Sequence, residues 1–287
     1  MSEGNGHPYS WSAIFNGYDP VYMKDCPYPA IPAYLAEYRF PEDGLSHLGE
    51  VTHVWTQERS SSEHIAAAAK IANVVEEPGD MIGHIDAVLL ARDDAENHYE
   101  MALPYIQAGL PIFIDKPLAL SVRDAKAIID AEQFTGQIFT CSSLRYAKEM
   151  ALTETEKEQI GEIHIVEGSV MKKWETYAIH VIEPLVAQMP GRGLFLGAKE
   201  VKKNGIRQVL VGWENLSAYI KVTGSLPSPI QLSFFGDKGS IEKKFFNSFD
   251  CFKTSLEKFV YVASGEQENI DRQETLEIIE IIESVLR

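Results

Sequence analysis

Short apolar runs alternate with helical patterns between residues 50 and 131. "VTHVW" (51–55) reads as a strand. "SSSEHIAAAAKIAN" (60–73) reads as a helix with serine caps and an acidic first turn. "IDAVLLA" (85–91) is the near-continuous apolar run that a strand covered on both faces needs. "AENHYEMALPYIQAG" (95–109) predicts a helix ending at Gly109, with a kink at Pro104. "PIFI" (111–114) is the next strand, and "SVRDAKAIIDAEQ" (121–133) the next helix, capped by Ser121. Strand–helix alternation of this kind implies a parallel sheet with helices on both faces.

After about residue 135 the rhythm changes. "QIFTCSSLR" (137–145) is one more strand; "EIHIVEGSV" (162–170), "RQVLVGWEN" (207–215), "LSAYIKVTGS" (216–225) and "PIQLSFFG" (229–236) follow with little helix between them. Turn signals at Asn204-Gly205 and at Gly236-Asp237-Lys238-Gly239 suggest antiparallel pairing. Two amphipathic helices close the chain, about 249–264 and 271–286, the second with an apolar stripe at Leu276, Ile279, Ile282 and Leu286. The expected class is α/β. A doubly wound parallel sheet occupies about residues 1–120, and an α+β domain with a large, mainly antiparallel open sheet occupies 121–287, its last helix packing back on the first domain.

Composition narrows the function classes. The net charge of −16 leaves no surplus of Lys and Arg to neutralise phosphates, so nucleic acid is excluded as a main partner. Cys26, Cys141 and Cys251 are far apart and form no C-x-x-C pair, so neither a disulfide framework nor a metal site is expected. No signal peptide and no membrane-spanning run is read, and a cytoplasmic location is expected.

In an open parallel sheet, ligands sit outside the carboxyl ends of the strands. Two strand ends here carry polar clusters, "ARDDAENH" (91–98) and "DKP" (115–117), and the Lys116–Pro117 bond admits a cis peptide. The stretch "IDAVLLARDDAENHYEMALPYIQAGLPIFIDKPLALSVRDA" resembles the glucose–fructose oxidoreductase / inositol dehydrogenase / MocA family. In that family a strand-end A-T-P-x-x-x-H is followed by a helix, an A-G turn, a strand and E-K-P-L-A. The matching residues are Ala91, His98, Ala108-Gly109, Asp115, Lys116, Pro117, Leu118 and Ala119. "SSLRY" (142–146), "YAIHVIEPL" (177–185) and "FFGDKGSIE" (234–242) extend the resemblance through the second half.

The resemblance implies hydride transfer between a substrate alcohol carbon and a nicotinamide, NAD or NADP. It places Lys116 near the reacting hydroxyl, with Asp115 orienting it, and makes His180 the general acid or base, an imidazole being the side chain that titrates near neutral pH. Tyr177 could supply a phenol, Arg145 and Thr176 would face substrate, and Ala91, Arg92, His98 and Lys116 would lie along the cofactor. Two departures leave room for a modified activity or for none. The family often has Asp where this chain has Thr176, and its usual Glu before the lysine is Asp115.

The amino terminus departs further. A dinucleotide fold wants an apolar strand running into G-x-G-x-x-G. Here Gly4-Asn5-Gly6 supplies two glycines, Tyr9 stands in the third place, and the first strand is expected to be short or missing. Ser10 could offer its hydroxyl to phosphate; Glu58 could hold a ribose diol and Arg59 a 2′-phosphate. The segment 17–44, rich in proline and tyrosine, is expected to be a packed excursion, with a lid as the other reading. The expected function is an NAD(P)-dependent dehydrogenase or reductase acting on a sugar, nucleotide sugar or polyol, as a homodimer or homotetramer. The "GHPYSWSAI" variant resembles a subgroup associated with bacterial surface-sugar biosynthesis. The competing expectations are a non-catalytic sensor of the same fold and an enzyme that oxidises its substrate only transiently.

Overall fold

The computed structural model describes residues 5–286, so Gly4 of the glycine turn lies outside the described residues. The chain divides into two compact units. The first comprises residues 1–115, 128–139 and 248–269, and the second 116–127, 140–247 and 270–287.

The first unit opens with α1 (His7–Asn16), followed by the short helices α2 (Pro20–Met23) and α3 (Ala30–Leu35). The excursion 17–44 is packed rather than loose. Met23, Ile31 and Leu35 are buried, Tyr34 donates its hydroxyl to Ser10, and the Tyr38 ring stacks on Phe249. Next come β1 (His53–Val54), α4 (Arg59–Ala68) and β2 (Asn73–Val74), the two strands paired in parallel. α4 stops before the end of the expected 60–73 span because Lys70 adopts φ 54°, a left-handed conformation that no helix continues through.

The strands β3 (Val88–Leu90), β4 (Ile112–Ile114) and β5 (Ile138–Phe139) form a second parallel sheet in that order. All three residues of β4 are buried, as a strand covered on both faces requires. α5 (His98–Gln107) follows a 3-10 turn at Ala95–Asn97 and carries Pro104 inside it. Gly109, at φ 77°, turns the chain out of the helix while Leu110 N–H bonds the Tyr105 carbonyl across the end. The expected strand 137–145 is cut to two residues, because Ser142 caps a 3-10 turn at Ser143–Tyr146. The parallel strands are therefore not one continuous doubly wound sheet: β1–β2 and β3–β4–β5 are separate ladders. α6 (Val122–Asp130) then leads out of β4.

In the second unit α7 (Glu154–Ile160) precedes β6 (Ile163–Val170), α8 (Trp174–Tyr177) and α9 (Ile179–Gln188). The strands β7 (Phe195–Lys203), β8 (Ile206–Trp213), β9 (Ser217–Val222), β10 (Gln231–Gly236) and β11 (Ser240–Lys244) complete a six-stranded sheet in the order β11-β10-β6-β9-β8-β7. Only the β6–β9 pair is parallel. Asn204 and Gly205 join β7 to β8 with φ values of 52° and 77°, the two left-handed residues that a tight hairpin needs. Alternation along the strands buries Val166, Val209, Val211, Ile220 and Phe234 on one face and leaves Ile165, Leu210 and Phe235 exposed on the other.

The last two helices are α10 (Ser248–Ala263) and α11 (Arg272–Glu283). It is α10 that belongs to the first unit, where Phe259 meets Phe113 and Phe139. α11 belongs to the second unit, where the Ile282 carbonyl accepts a hydrogen bond from the Trp174 indole. Its buried stripe is Thr275, Ile278, Ile279, Ile281 and Ile282, with Leu276 and Leu286 only half-buried, a rotation of the face expected from sequence.

Candidate active site

In the first unit, chemistry gathers where β4 ends and α1 begins. Asp115 is fully buried, and a buried carboxylate must be held by donors. Its Oδ2 accepts from Asn5 Nδ2 at 2.9 Å and meets His7 Nδ1 at 2.6 Å, while the His7 ring stacks on Trp11 at 4.7 Å. Asn5 also accepts the His7 N–H through Oδ1 at 2.8 Å. The residue between the two glycines thus ties the start of α1 to the end of β4.

A dinucleotide pyrophosphate binds at a helix start through free backbone N–H groups and glycines bare enough for close approach. The described residues do not fit it. The His7 N–H is held by Asn5, Pro8 has none, and the amides of Tyr9 and Ser10 both bond the Gly6 carbonyl. The side of Gly6 where a Cβ would stand is filled by Ile31 Cδ1 at 2.7 Å and Tyr28 Cδ2 at 2.9 Å. Ser10 is buried and its hydroxyl accepts from Tyr34. Of the other residues expected along a cofactor, Glu58 is exposed at the start of α4, and Arg59 is paired with Glu63 at 3.0 Å and with Glu76. Ala91 is half-buried beyond β3. Arg92 is buried and paired with Asp94. Burial works against that carboxylate, but hydrogen bonds from Arg92 and Asn97 hold its pKa below the ordinary value. His98 is fully buried with Nε2 2.8 Å from the Arg92 carbonyl, which makes it a brace of the strand end.

The second unit brings Lys116, Tyr177 and His180 together. Lys116 is buried, and its Nζ lies 5.9 Å from the centroid of the Tyr177 ring, within reach of cation–π attraction. The Tyr177 and His180 rings meet edge-on at 5.1 Å. Lys172, in the left-handed conformation just before α8, puts a second ammonium 4.1 Å from the Tyr177 centroid and donates to its hydroxyl. The Lys116–Pro117 peptide is cis. Thr176 is half-buried on α8, and its neighbour Glu175 pairs with Arg207 at 3.6 Å.

Behind His180 lies a polar chain that the sequence did not announce. His180 Nδ1 is 2.8 Å from Ser142 Oγ, and the Ser142 N–H donates to Glu183 Oε2 at 2.6 Å. Glu183 follows His180 by one turn of α9, so both side chains reach Ser142, the cap of the 3-10 turn that follows β5. Burial pushes the Glu183 carboxyl up to about 7, against the pull of Arg145. Arg145 stands 3.7 Å from Glu183 and is paired with Glu274, so its charge is directed at these carboxylates. The spacing of His180 and Glu183 was the one signal available. Ser142 and Lys172 gave none, because their partners are distant in sequence or depend on a backbone twist.

The first unit holds a parallel type of sheet whose strand ends carry polar clusters, and the second unit holds a largely antiparallel sheet and the Lys116, Tyr177 and His180 cluster. The class they define is one of fold: a Rossmann-like α/β unit together with an α+β unit built on a large, mainly antiparallel sheet. Residues 32–143 match the family model described as "Oxidoreductase family, NAD-binding Rossmann fold", the glucose–fructose oxidoreductase / inositol dehydrogenase / MocA family that the sequence resembles. The cofactor that this family description names is NAD. Among curated proteins none matches the chain by sequence. Several solved structures share the fold. An oxidoreductase from Thermotoga maritima has 17% identity and a TM-score of 0.68, covering 85% of this chain and 89% of its own. The myo-inositol dehydrogenase from Lactobacillus casei, solved with NAD(H) and myo-inositol, has 14% identity and a TM-score of 0.67, covering 83% and 86%. The UDP-N-acetylglucosamine 3-dehydrogenase from Acidithiobacillus ferrooxidans has 13% identity and a TM-score of 0.65, covering 83% and 89%. No helix of the described residues is long and apolar enough to cross a membrane.

Proposed function

We propose that the protein is an NAD(P)-dependent oxidoreductase that interconverts a hydroxyl and a carbonyl group on a sugar, nucleotide sugar or polyol. The observation that supports this most is the convergence of Lys116, Tyr177 and His180 within one unit. A CH–OH group losing hydride must also lose its hydroxyl proton, and the oxyanion formed on the way needs a cation beside it. Lys116 supplies that cation from a buried position, and His180, steadied by Ser142, takes or returns the proton. Tyr177 offers a phenol against the same imidazole. In the family's chemistry the nicotinamide takes up or delivers the hydride.

Neighbours of the same fold whose names include inositol and UDP-sugar dehydrogenases favour a polyhydroxylated substrate. A role in bacterial surface-sugar biosynthesis, in the cytoplasm, is part of the proposal. The exposed apolar face of the six-stranded sheet favours a homodimer or homotetramer. The test follows the absorbance of reduced nicotinamide across a panel of nucleotide sugars and polyols. A substrate should appear whose turnover falls at least about a hundredfold in Lys116→Ala and in His180→Ala. Undiminished turnover in either variant would remove the role given to that residue.

A second reading, a non-catalytic sensor, is favoured by the occupied donors at the start of α1 and by Thr176 in place of a carboxylate. It predicts saturable ligand binding with no product from any member of the panel.

A further inference from the structure

Among the described residues, three other than glycine have left-handed backbone: Lys70, Lys172 and Asn204. Two have a local reason, since Lys70 follows the end of α4 and Asn204 makes the β7–β8 hairpin. Lys172, at φ 69°, stands between β6 and α8, where its N–H donates to the Gly224 carbonyl at 2.7 Å in an antiparallel bridge. Glycine would adopt that backbone without strain. A lysine held there by its surroundings points to a use for its side chain.

The use lies at the ammonium. Lys172 is half-buried, and its Nζ donates to the Tyr177 hydroxyl and sits 4.1 Å from the centre of that ring. Among the described residues no carboxylate pairs with it. Carboxylates are not scarce, with 42 acidic against 26 basic residues in the chain. Other cations of the second unit take theirs: Arg192 is paired with Glu277 at 2.7 Å. Glu175, the acidic residue nearest to Lys172 in sequence, is directed to Arg207 at 3.6 Å. A hydroxyl and a ring face hold an ammonium without cancelling its charge.

A second charge lies on the same ring. Lys116 Nζ is 5.9 Å from the Tyr177 centroid, so the two nitrogens are no farther apart than those two distances laid end to end. Like charges that close repel one another, and an anion brought to them removes the repulsion. All these residues belong to the second unit.

We propose that Lys172 sets the specificity of this site by selecting a substrate that carries an anionic group, a carboxylate or a phosphate, on the sugar whose hydroxyl meets Lys116. The proposal rests on the oxidoreductase reading above and narrows it, because a neutral polyol leaves the charge of Lys172 uncompensated. An ammonium has three donors. One holds the phenol, and the others make charge-assisted hydrogen bonds to the anion. Lys172 thereby fixes the end of the substrate that does not react, while Lys116 and His180 keep the roles proposed for them.

The test measures Kd by titration calorimetry, with NAD present, for three matched pairs: glucose and glucuronate, glucose and glucose 1-phosphate, and UDP-glucose and UDP-glucuronate. The parent protein is compared with Lys172→Met, which keeps the stem and loses the charge, and with Lys172→Arg, which keeps the charge. In at least one pair the parent should bind the anionic member at least about tenfold more tightly. Lys172→Met should abolish that preference with the Kd of the neutral member and the circular dichroism spectrum unchanged, and Lys172→Arg should retain it. A preference confined to glucose 1-phosphate assigns a phosphate, and one for either glucuronate-bearing compound assigns a carboxylate. Equal binding within every pair overturns the proposal, as does a preference that survives Lys172→Met. Charge preference without turnover of any compound would sink the oxidoreductase reading alone, and turnover indifferent to charge would sink this proposal alone.

Discussion

His180 and Glu183 lie one turn apart and meet on Ser142, so a change at the buried carboxyl is felt at the imidazole through a single residue. The Glu183 pKa is raised from 4.5 to about 7, which means the folded protein holds a proton that the unfolded chain has released in that interval. Stability from this group is therefore complete below about 4.5 and declines as pH rises to about 7, by a few kcal/mol at most. Glu183→Gln keeps an acceptor for the Ser142 amide and removes the titration. The difference between its unfolding curves and those of the parent should open over that window and level off above it; parallel curves would contradict the assigned shift. Ser142→Ala removes the tether on His180 Nδ1 while leaving the Ser142 amide in place. Given the proposed turnover, kcat should fall about tenfold with KM little changed, and the acidic limb of the pH profile should move. An unchanged profile would reduce Ser142 to a packing residue. Lys116 and His180 stood out in sequence because they sit in motifs, and the structure brings them to the same tyrosine; Ser142 did not stand out, since nothing local marks a serine whose partners lie on α9.

At the scale of elements, the strands the sequence disclosed were those with enough apolar residues to read as buried. β8, β9 and β10 bury alternate positions, β6 carries Ile163, Ile165, Val166 and Val170, and each was found within a few residues of its expected span. β7 escaped because "FLGAKEVKK" buries none of its residues, being the edge of the sheet with Gly197 at an irregularity in register. α1 escaped because its apolar residues are packed nearly all round and give no single stripe. Gly236 marks the junction of β10 with the end of α7. A Cβ there would stand 2.2 Å from the Ile160 carbonyl oxygen and 2.9 Å from that of Glu162, backbone atoms that cannot swing aside. Gly236→Ala should cost about 3 kcal/mol, read as a drop in Tm, whereas Gly79→Ala, with nothing within 4 Å of its Cβ, should leave Tm within a degree or two. Equal effects would show that the junction yields.

For the molecule as a whole, the outer face of the six-stranded sheet is the surface to examine first. Ile165, Leu210 and Phe235 remain 46%, 50% and 37% exposed, and Ile165 lies opposite Phe235 in the β6–β10 register. Apolar side chains grouped on one sheet face mark an association surface more often than a solvent face. If the proposed oligomer forms there, Ile165→Glu combined with Leu210→Glu should convert it to monomer in light scattering, with the circular dichroism spectrum unchanged. An oligomer that survives both substitutions would place the interface elsewhere. Neither substitution touches a residue of the Lys–Tyr–His cluster.

The chain passes from one unit to the other after Asp115, Ala127, Phe139, Asn247 and Asn269. A clone stopped near residue 120 would omit β5 and α10, and with them Phe139 and Phe259, the rings that close over Phe113. The nucleotide-fold half therefore cannot be harvested by truncation. A working fragment would have to stitch three separated stretches together, and a protease cut in any one crossing should leave the severed pieces clinging to each other.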